Sequence, residues 1–221
     1  MDRRTLLMGA GAGAVAVGAY ALLRPGQGPM PLLPQPAHAQ EAATGSPEVI
    51  EMVIGSPDAP VEVIEYASFT CPHCRTFHQN TMPRLKAEYV DSGQVRFIYR
   101  EVYFDRPGLW ASMVARCAGP MRYFGVVDLI YERQSEWVQG SPAQIAENLR
   151  RIGRTAGMTN EQLDACMTDA EMAQALITWE QANREVHDIP GTPHFVIDGT
   201  MHSNMSFEEF SGLIDAALAA Q

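Results

Sequence analysis

Lysine is almost missing from this chain: Lys86 is the single one among 221 residues, and 16 basic against 26 acidic side chains give a formal charge of −10. Binding to nucleic acid draws on clustered Lys and Arg that neutralise phosphates, so that class of partner is excluded. Cysteine is scarce too. Four residues are too few for a small disulfide-dense scaffold. No internal repeat is present. Methionine is abundant at 12, but Met30, Met52, Met113, Met158 and Met201 are scattered and form no Met-x-x-Met cluster of the kind that binds copper. What is present is ordinary: 46% hydrophobic and 8% aromatic residues, enough to bury a core and too apolar for a disordered chain.

The first residues carry the excess of positive charge. Arg3-Arg4 is followed by an uncharged stretch from Thr5 to Leu23, then Arg24, and later the small-x-small site Ala37-His38-Ala39. This pattern predicts an export signal over 1–39 with twin-arginine character, cleaved before Gln40, and a flexible tail over 40–47. The alternative is an uncleaved inner-membrane anchor, since Thr5 to Leu23 is long enough to span a bilayer. The Ala- and Gly-rich composition of that stretch favours cleavage. In either case the working part, 48–221, is expected in the periplasm, where disulfides persist.

Within that part, Val49–Ile54 and Val61–Ala67 read as strands, the second richer in β-branched residues and buried. A helix is predicted from Cys71, with Pro72 in its first turn, bending near Pro83 and ending at Tyr89 or Val90. A strand follows at Val95–Glu101. From about 105 to 188 the pattern is helical throughout, with capping boxes at Ser141/Gln144 and Thr159/Gln162. Phe195–Ile197, a return at Thr200–His202 and a last helix from about Ser206 complete the chain. The order β-β-α-β, helical block, β-β-α predicts an α/β fold: a central mixed sheet flanked by helices, with an inserted all-helical subdomain.

The chemistry centres on Cys71-Pro72-His73-Cys74. A thiol at a helix start lies over free N–H groups and the positive end of the dipole, which stabilise its thiolate. Cys71 is therefore the attacking sulfur and Cys74, one turn further in, the resolving one. Charge or a hydrogen bond from His73 would stabilise the Cys71 thiolate further, and a stabilised reduced form makes the disulfide a stronger oxidant. The alternative is half of a zinc site. Zinc needs two more ligands, and His78 is the only local candidate. Glu65 is a second open case. Pointing inward beneath the disulfide, it would move the proton that leaves Cys74; pointing outward, it is a solvated edge residue. Glu62 and Glu65 have opposite strand parity and cannot both face inward.

Phe69-Thr70-Cys71-Pro72-His73-Cys74, after a buried strand and before a proline-bent helix, resembles the DsbA family of thioredoxin-fold thiol oxidases, over about Glu48 to Leu218. The resemblance implies that Cys71 and Cys74 are the redox pair and that Gly191-Thr192-Pro193 is a cis-proline loop. The Thr192 backbone would then pair with an extended substrate segment beside Cys71. A trans turn proline is the alternative at Pro193. The resemblance also implies a strong dithiol oxidant acting on unfolded or partly folded exported proteins with free thiols. A membrane DsbB-like, quinone-linked partner would reoxidise it. No metal and no cofactor beyond the Cys71–Cys74 disulfide are expected, and the protein is expected to be a monomer.

Thr192 departs from the Val common in the strongest oxidases and brings the family's isomerase or reductase branch into play. A copper- or zinc-handling thiol protein is the rival from another class. His194, directly after Pro193, is expected to be solvated, with contact to substrate or support of the thiolate as the alternative; Phe69, Phe77 and Trp110 are candidates to line a peptide groove, with the core as the alternative for Phe69 and Phe77. With Cys71 and Cys74 paired locally, Cys117 and Cys166 are left to form a structural disulfide stapling the helical block, as in some alphaproteobacterial relatives. Two free buried thiols are the alternative.

Overall fold

The computed structural model describes residues 46–221. The signal or anchor expected over 1–39, and all but the last residues of the 40–47 tail, lie outside the described residues. Among the described residues no helix is long and apolar enough to cross a membrane.

Five strands, β1 (Met52–Ile54), β2 (Val61–Ala67), β3 (Val95–Glu101), β4 (His194–Ile197) and β5 (Thr200–Ser203), form one mixed sheet in the order β1-β3-β2-β4-β5. β2 and β3 run parallel, with Glu65 opposite Tyr99; the other neighbours are antiparallel. Successive side chains of a strand alternate faces. Val61, Val63 and Ala67 thus join Phe97, Tyr99 and Phe195 in the main core, while Ile64 and Tyr66 join Ile98, Ile189 and Val196 in a smaller one.

The main core is covered by α1 (Pro72–Asn80) and α9 (Phe207–Ala219), through Phe77, Phe210 and Ile214. α1 stops at Thr81, because Pro83 has no N–H to offer the carbonyl of Gln79. The chain continues as α2 (Met82–Leu85) and a π-helical turn at Lys86–Val90, closed by Asp91 N–H donating to the Lys86 carbonyl at 2.8 Å.

Between β3 and β4 come α3 (Arg106–Cys117), α4 (Pro120–Glu132), α5 (Gln134–Trp137), α6 (Pro142–Thr155), α7 (Asn160–Thr168) and α8 (Ala170–His187). Both capping boxes expected here are formed, at Ser141/Gln144 and Thr159/Gln162. α6 and α7 approach closely at Gly153, where a Cβ would fall 2.4 Å from Leu163 Cδ2. Tyr66 Oη sits 2.7 Å from His187 Nδ1 and donates to the Asn183 carbonyl at 3.0 Å, so the end of α8 is held on the second face of the sheet.

A buried ion pair joins β3 to α3. Glu101, at the end of β3, accepts from Arg116 Nε at 2.7 Å and Nη2 at 2.6 Å, and from Tyr123 Oη at 2.7 Å and Ser112 Oγ at 3.0 Å. Next to Arg116, Cys117 is disulfide-bonded to Cys166 of α7, across a sequence separation of 49. For a loop of that length the chain-entropy relation gives about 4 kcal/mol at most, so a Cys117→Ala/Cys166→Ala protein is expected to lose up to that amount in urea denaturation. Alkylation of the unfolded wild type without reductant should leave both residues unlabelled. Labelling of both would show that the staple is not formed.

Candidate active site

Cys71 is the N-cap residue of α1, with Pro72 at the first helical position, where its missing N–H costs no helical bond. The preceding loop is tied down from both sides. Cys71 N–H donates to the Ser68 carbonyl at 3.1 Å, and Thr70 Oγ1 donates to Asp105 at 2.9 Å. From α5, Gln134 Nε2 donates to the carbonyls of Phe69 at 2.8 Å and Cys71 at 3.0 Å. Neither Gln134 nor Asp105 is marked by the motif; both are brought there by the helical block.

The two thiols are free and differ in environment: Cys71 is half-buried, Cys74 fully buried. The Cys74 thiol hydrogen-bonds to the Cys71 sulfur and outweighs the cost of partial burial. With further hydrogen bonds from the Thr192 side chain and the N–H groups of Cys74 and His73, the Cys71 pKa is lowered to about 5. Burial raises Cys74 far above its ordinary value, reinforced by its hydrogen bond to Cys71 and the nearby Glu65 charge. A thiolate at Cys71 and a neutral thiol at Cys74 are what a nucleophile and a resolving group need.

The Thr192–Pro193 peptide is cis, and Cys71 Sγ donates to the Thr192 carbonyl at 3.3 Å. Thr192 and the redox pair therefore adjoin, although 121 residues separate them in sequence. Glu65 is wholly buried on the α1 side, while Glu62 is partly exposed and pairs with Arg96. Glu65 Oε2 lies 2.8 Å from His78 Nε2.

Several expectations change. The His73 side chain is exposed, and it is the backbone N–H of His73 that favours the Cys71 thiolate. His194 is buried, not solvated, because β4 lies between β2 and β5 and is covered on both faces. Burial, with the nearby His202, lowers its pKa. Paired with Tyr66, it lies on the sheet face away from α1 and the thiols. Phe69 and Phe77 are core residues; Trp110 is half-buried against that core. His78, considered only as a zinc ligand, is a partner of Glu65. Its signal was available: Cys74 and His78 are one turn apart on α1, so an inward Cys74 takes His78 inward too. Among the described residues no group of three or more His, Cys, Asp or Glu side chains is placed to hold a metal ion.

A family model described as thioredoxin matches residues 48–216. A Rickettsia bellii protein named "Putative protein-disulfide oxidoreductase" is 32% identical over 169 residues, which is 76% of this chain and 64% of that protein. The chain thus spans less than two thirds of the length of that relative. Disulfide bond formation protein D of Bacillus subtilis is 29% identical over 125 residues, covering 51% of this chain and 55% of its own. The crystal structure of Wolbachia pipientis alpha-DsbA1 aligns with a TM-score of 0.71 at 25% identity, over 79% of this chain and 94% of that one. With a thiol pair at the head of α1 and a helical block set between β3 and β4, the chain belongs to the thioredoxin family, among its DsbA-like members.

Proposed function

We propose that this protein is a periplasmic thiol oxidase that donates its Cys71–Cys74 disulfide to exported proteins through a mixed disulfide. The supporting observation is the asymmetry of the pair: a half-buried Cys71 whose pKa is lowered to about 5 beside a buried Cys74 held protonated. A substrate thiolate attacks Cys71 Sγ, the Cys71–Cys74 bond breaks, and Cys74 leaves and takes a proton, which Glu65 supplies. The substrate's second thiolate then attacks its own sulfur in the mixed disulfide and releases the Cys71 thiolate. A DsbB-like membrane partner, itself reduced in the exchange, restores the enzyme disulfide. Thr192, whose carbonyl lies 3.3 Å from Cys71 Sγ, is the backbone on which an extended substrate segment pairs. The Cys117–Cys166 bond fits an oxidising compartment.

The measurement that tests this is the redox equilibrium of the purified protein with glutathione. A thiolate stabilised as Cys71 is makes the reduced form favourable, so a potential above about −180 mV is expected. A value near thioredoxin's, about −270 mV, would overturn the oxidase assignment in favour of a reductase.

A further inference from the structure

A proton moving to or from Cys74 has no direct route to water. The Cys74 thiol is 0% exposed, and Glu65, the carboxylate beside it, is 0% exposed as well. Glu65 Oε2 has His78 Nε2 as its partner, while Oε1 is buried and unpaired. The His78 ring is fixed by two phenols. It stacks on Tyr131 with centroids 4.3 Å apart and meets Tyr99 edge-on at 5.6 Å. Its other nitrogen, Nδ1, is buried and has no partner. His78 also forms part of the wall of a cavity of about 400 Å³ between α1, the π-helical turn and α4, which Lys86 and Asp128 line as well. Asp128 is an exposed residue whose carboxyl is pushed up by partial burial, and the charges of His78 and Lys86 oppose that rise.

We propose that His78 is the positioning and relay residue that couples the Glu65 proton to this cavity, and through it to solvent. This rests on Glu65 serving Cys74 as described above. In the proposed cycle the reduced enzyme carries the pair as imidazolium and carboxylate, and the disulfide form carries it as neutral imidazole and carboxylic acid. During reoxidation the Cys74 thiol passes its proton to Glu65, and its sulfur attacks Cys71 Sγ of the mixed disulfide, expelling the partner's thiolate. Neutral Glu65 no longer holds the imidazolium charge, and His78 sheds its Nδ1 proton into the cavity. When substrate is oxidised the order reverses. Departing Cys74 takes the Glu65 proton, and His78 regains one at Nδ1. Each half-reaction passes one proton between Cys74 and Glu65 and another between His78 Nδ1 and the cavity, and leaves no net charge stranded in the core.

The charges His78 meets are Cys74 on its own helix, Glu65 from β2, Asp128 and Glu132 from α4, and Lys86 from the π-helical turn. Burial raises the phenols of Tyr99 and Tyr131 well above their ordinary values, so they stay neutral.

The test isolates ring closure. The Cys71–glutathione mixed disulfide is formed, and glutathione release is followed between about pH 5 and pH 9, with Cys71 alkylation of the separately reduced protein by iodoacetamide as the control. His78→Gln keeps a hydrogen-bonding group beside Glu65 but does not titrate in this range. It is expected to slow closure about tenfold or more and to flatten the pH profile, with Cys71 alkylation unchanged. Asp128→Asn, on an exposed position, is expected to shift the same limb of the profile. Slow closure in Glu65→Gln with wild-type closure in His78→Gln would overturn the relay and leave Glu65 in place. Wild-type closure in both would remove both. Equal loss of closure and alkylation in His78→Gln would make the residue merely structural. If His78→Gln does not fold, an unshifted Asp128→Asn profile overturns the relay.

Discussion

Cys71→Ser is expected to abolish thiol exchange, whereas Cys74→Ser is expected to retain attack on Cys71-directed disulfides and to accumulate mixed disulfides that never resolve. The difference follows from burial. Cys71 is reachable from outside, and Cys74 is reachable only from Cys71. Exchange assayed with a dithiol peptide, and non-reducing gels of the Cys74→Ser protein incubated with mixed disulfide reagents, check the two outcomes. An active Cys71→Ser protein would sink the assignment. The same chemistry has a pH signature. With its pKa lowered to about 5 by hydrogen bonding to Cys74, then to Thr192, Cys71 should alkylate at a constant rate above about pH 6 and slow as pH falls through 5. The shift is also a stability statement for the reduced protein. A depressed folded pKa contributes stability that is fully present above the unfolded thiol value, about 8.5, and is lost as pH falls through the folded value. The stability of the reduced form relative to the disulfide form should therefore grow between about pH 5 and pH 8.5.

The second large effect is expected at Arg116→Met, outside the redox motif. Burial pushes the Glu101 carboxyl up, but the charge and hydrogen bonds of Arg116, with the Tyr123 hydroxyl, hold it below the usual range. Removing Arg116 strands a wholly buried carboxylate, which typically costs about 3–5 kcal/mol. Replacing both partners, as in Glu101→Leu/Arg116→Met, should recover much of the loss, because an apolar pair carries no desolvation penalty. The sign with pH follows from the lowered value: the contribution is complete above the unfolded carboxyl value near about 4.3 and fades as pH falls through the folded one. Urea midpoints of the single and double variants decide it, and a single variant within about 1 kcal/mol of wild type would sink the claim.

The parts legible in the sequence are those encoded by local spacing. Cys71 and Cys74 announce themselves because their separation puts both sulfurs in one helical turn, and Ser141/Gln144 and Thr159/Gln162 because a capping box is a contact within one turn. Glu65 is an intermediate case. Strand parity separates it from Glu62, yet parity does not say which face meets α1. His78 is hidden because its partner lies on β2, and Glu101 because Arg116 lies across a strand end and into α3. His194 misleads because a lone polar residue at a strand start carries no mark of whether that strand is interior or edge. β4 is interior, and the exposed edge is β5.

Gln134 has a mechanical meaning. A helical subdomain set into a sheet suggests a jaw that swings, but one amide of α5 grips the carbonyls of Phe69 and Cys71, on either side of Thr70. A swing about the junctions at either end of the block would tear both bonds and loosen the loop that presents the reactive sulfur. The block serves as the anvil against which the nucleophile is held, so under the function proposed above any fitting to substrate falls to the opposite side of the sulfur, the loop at Thr192.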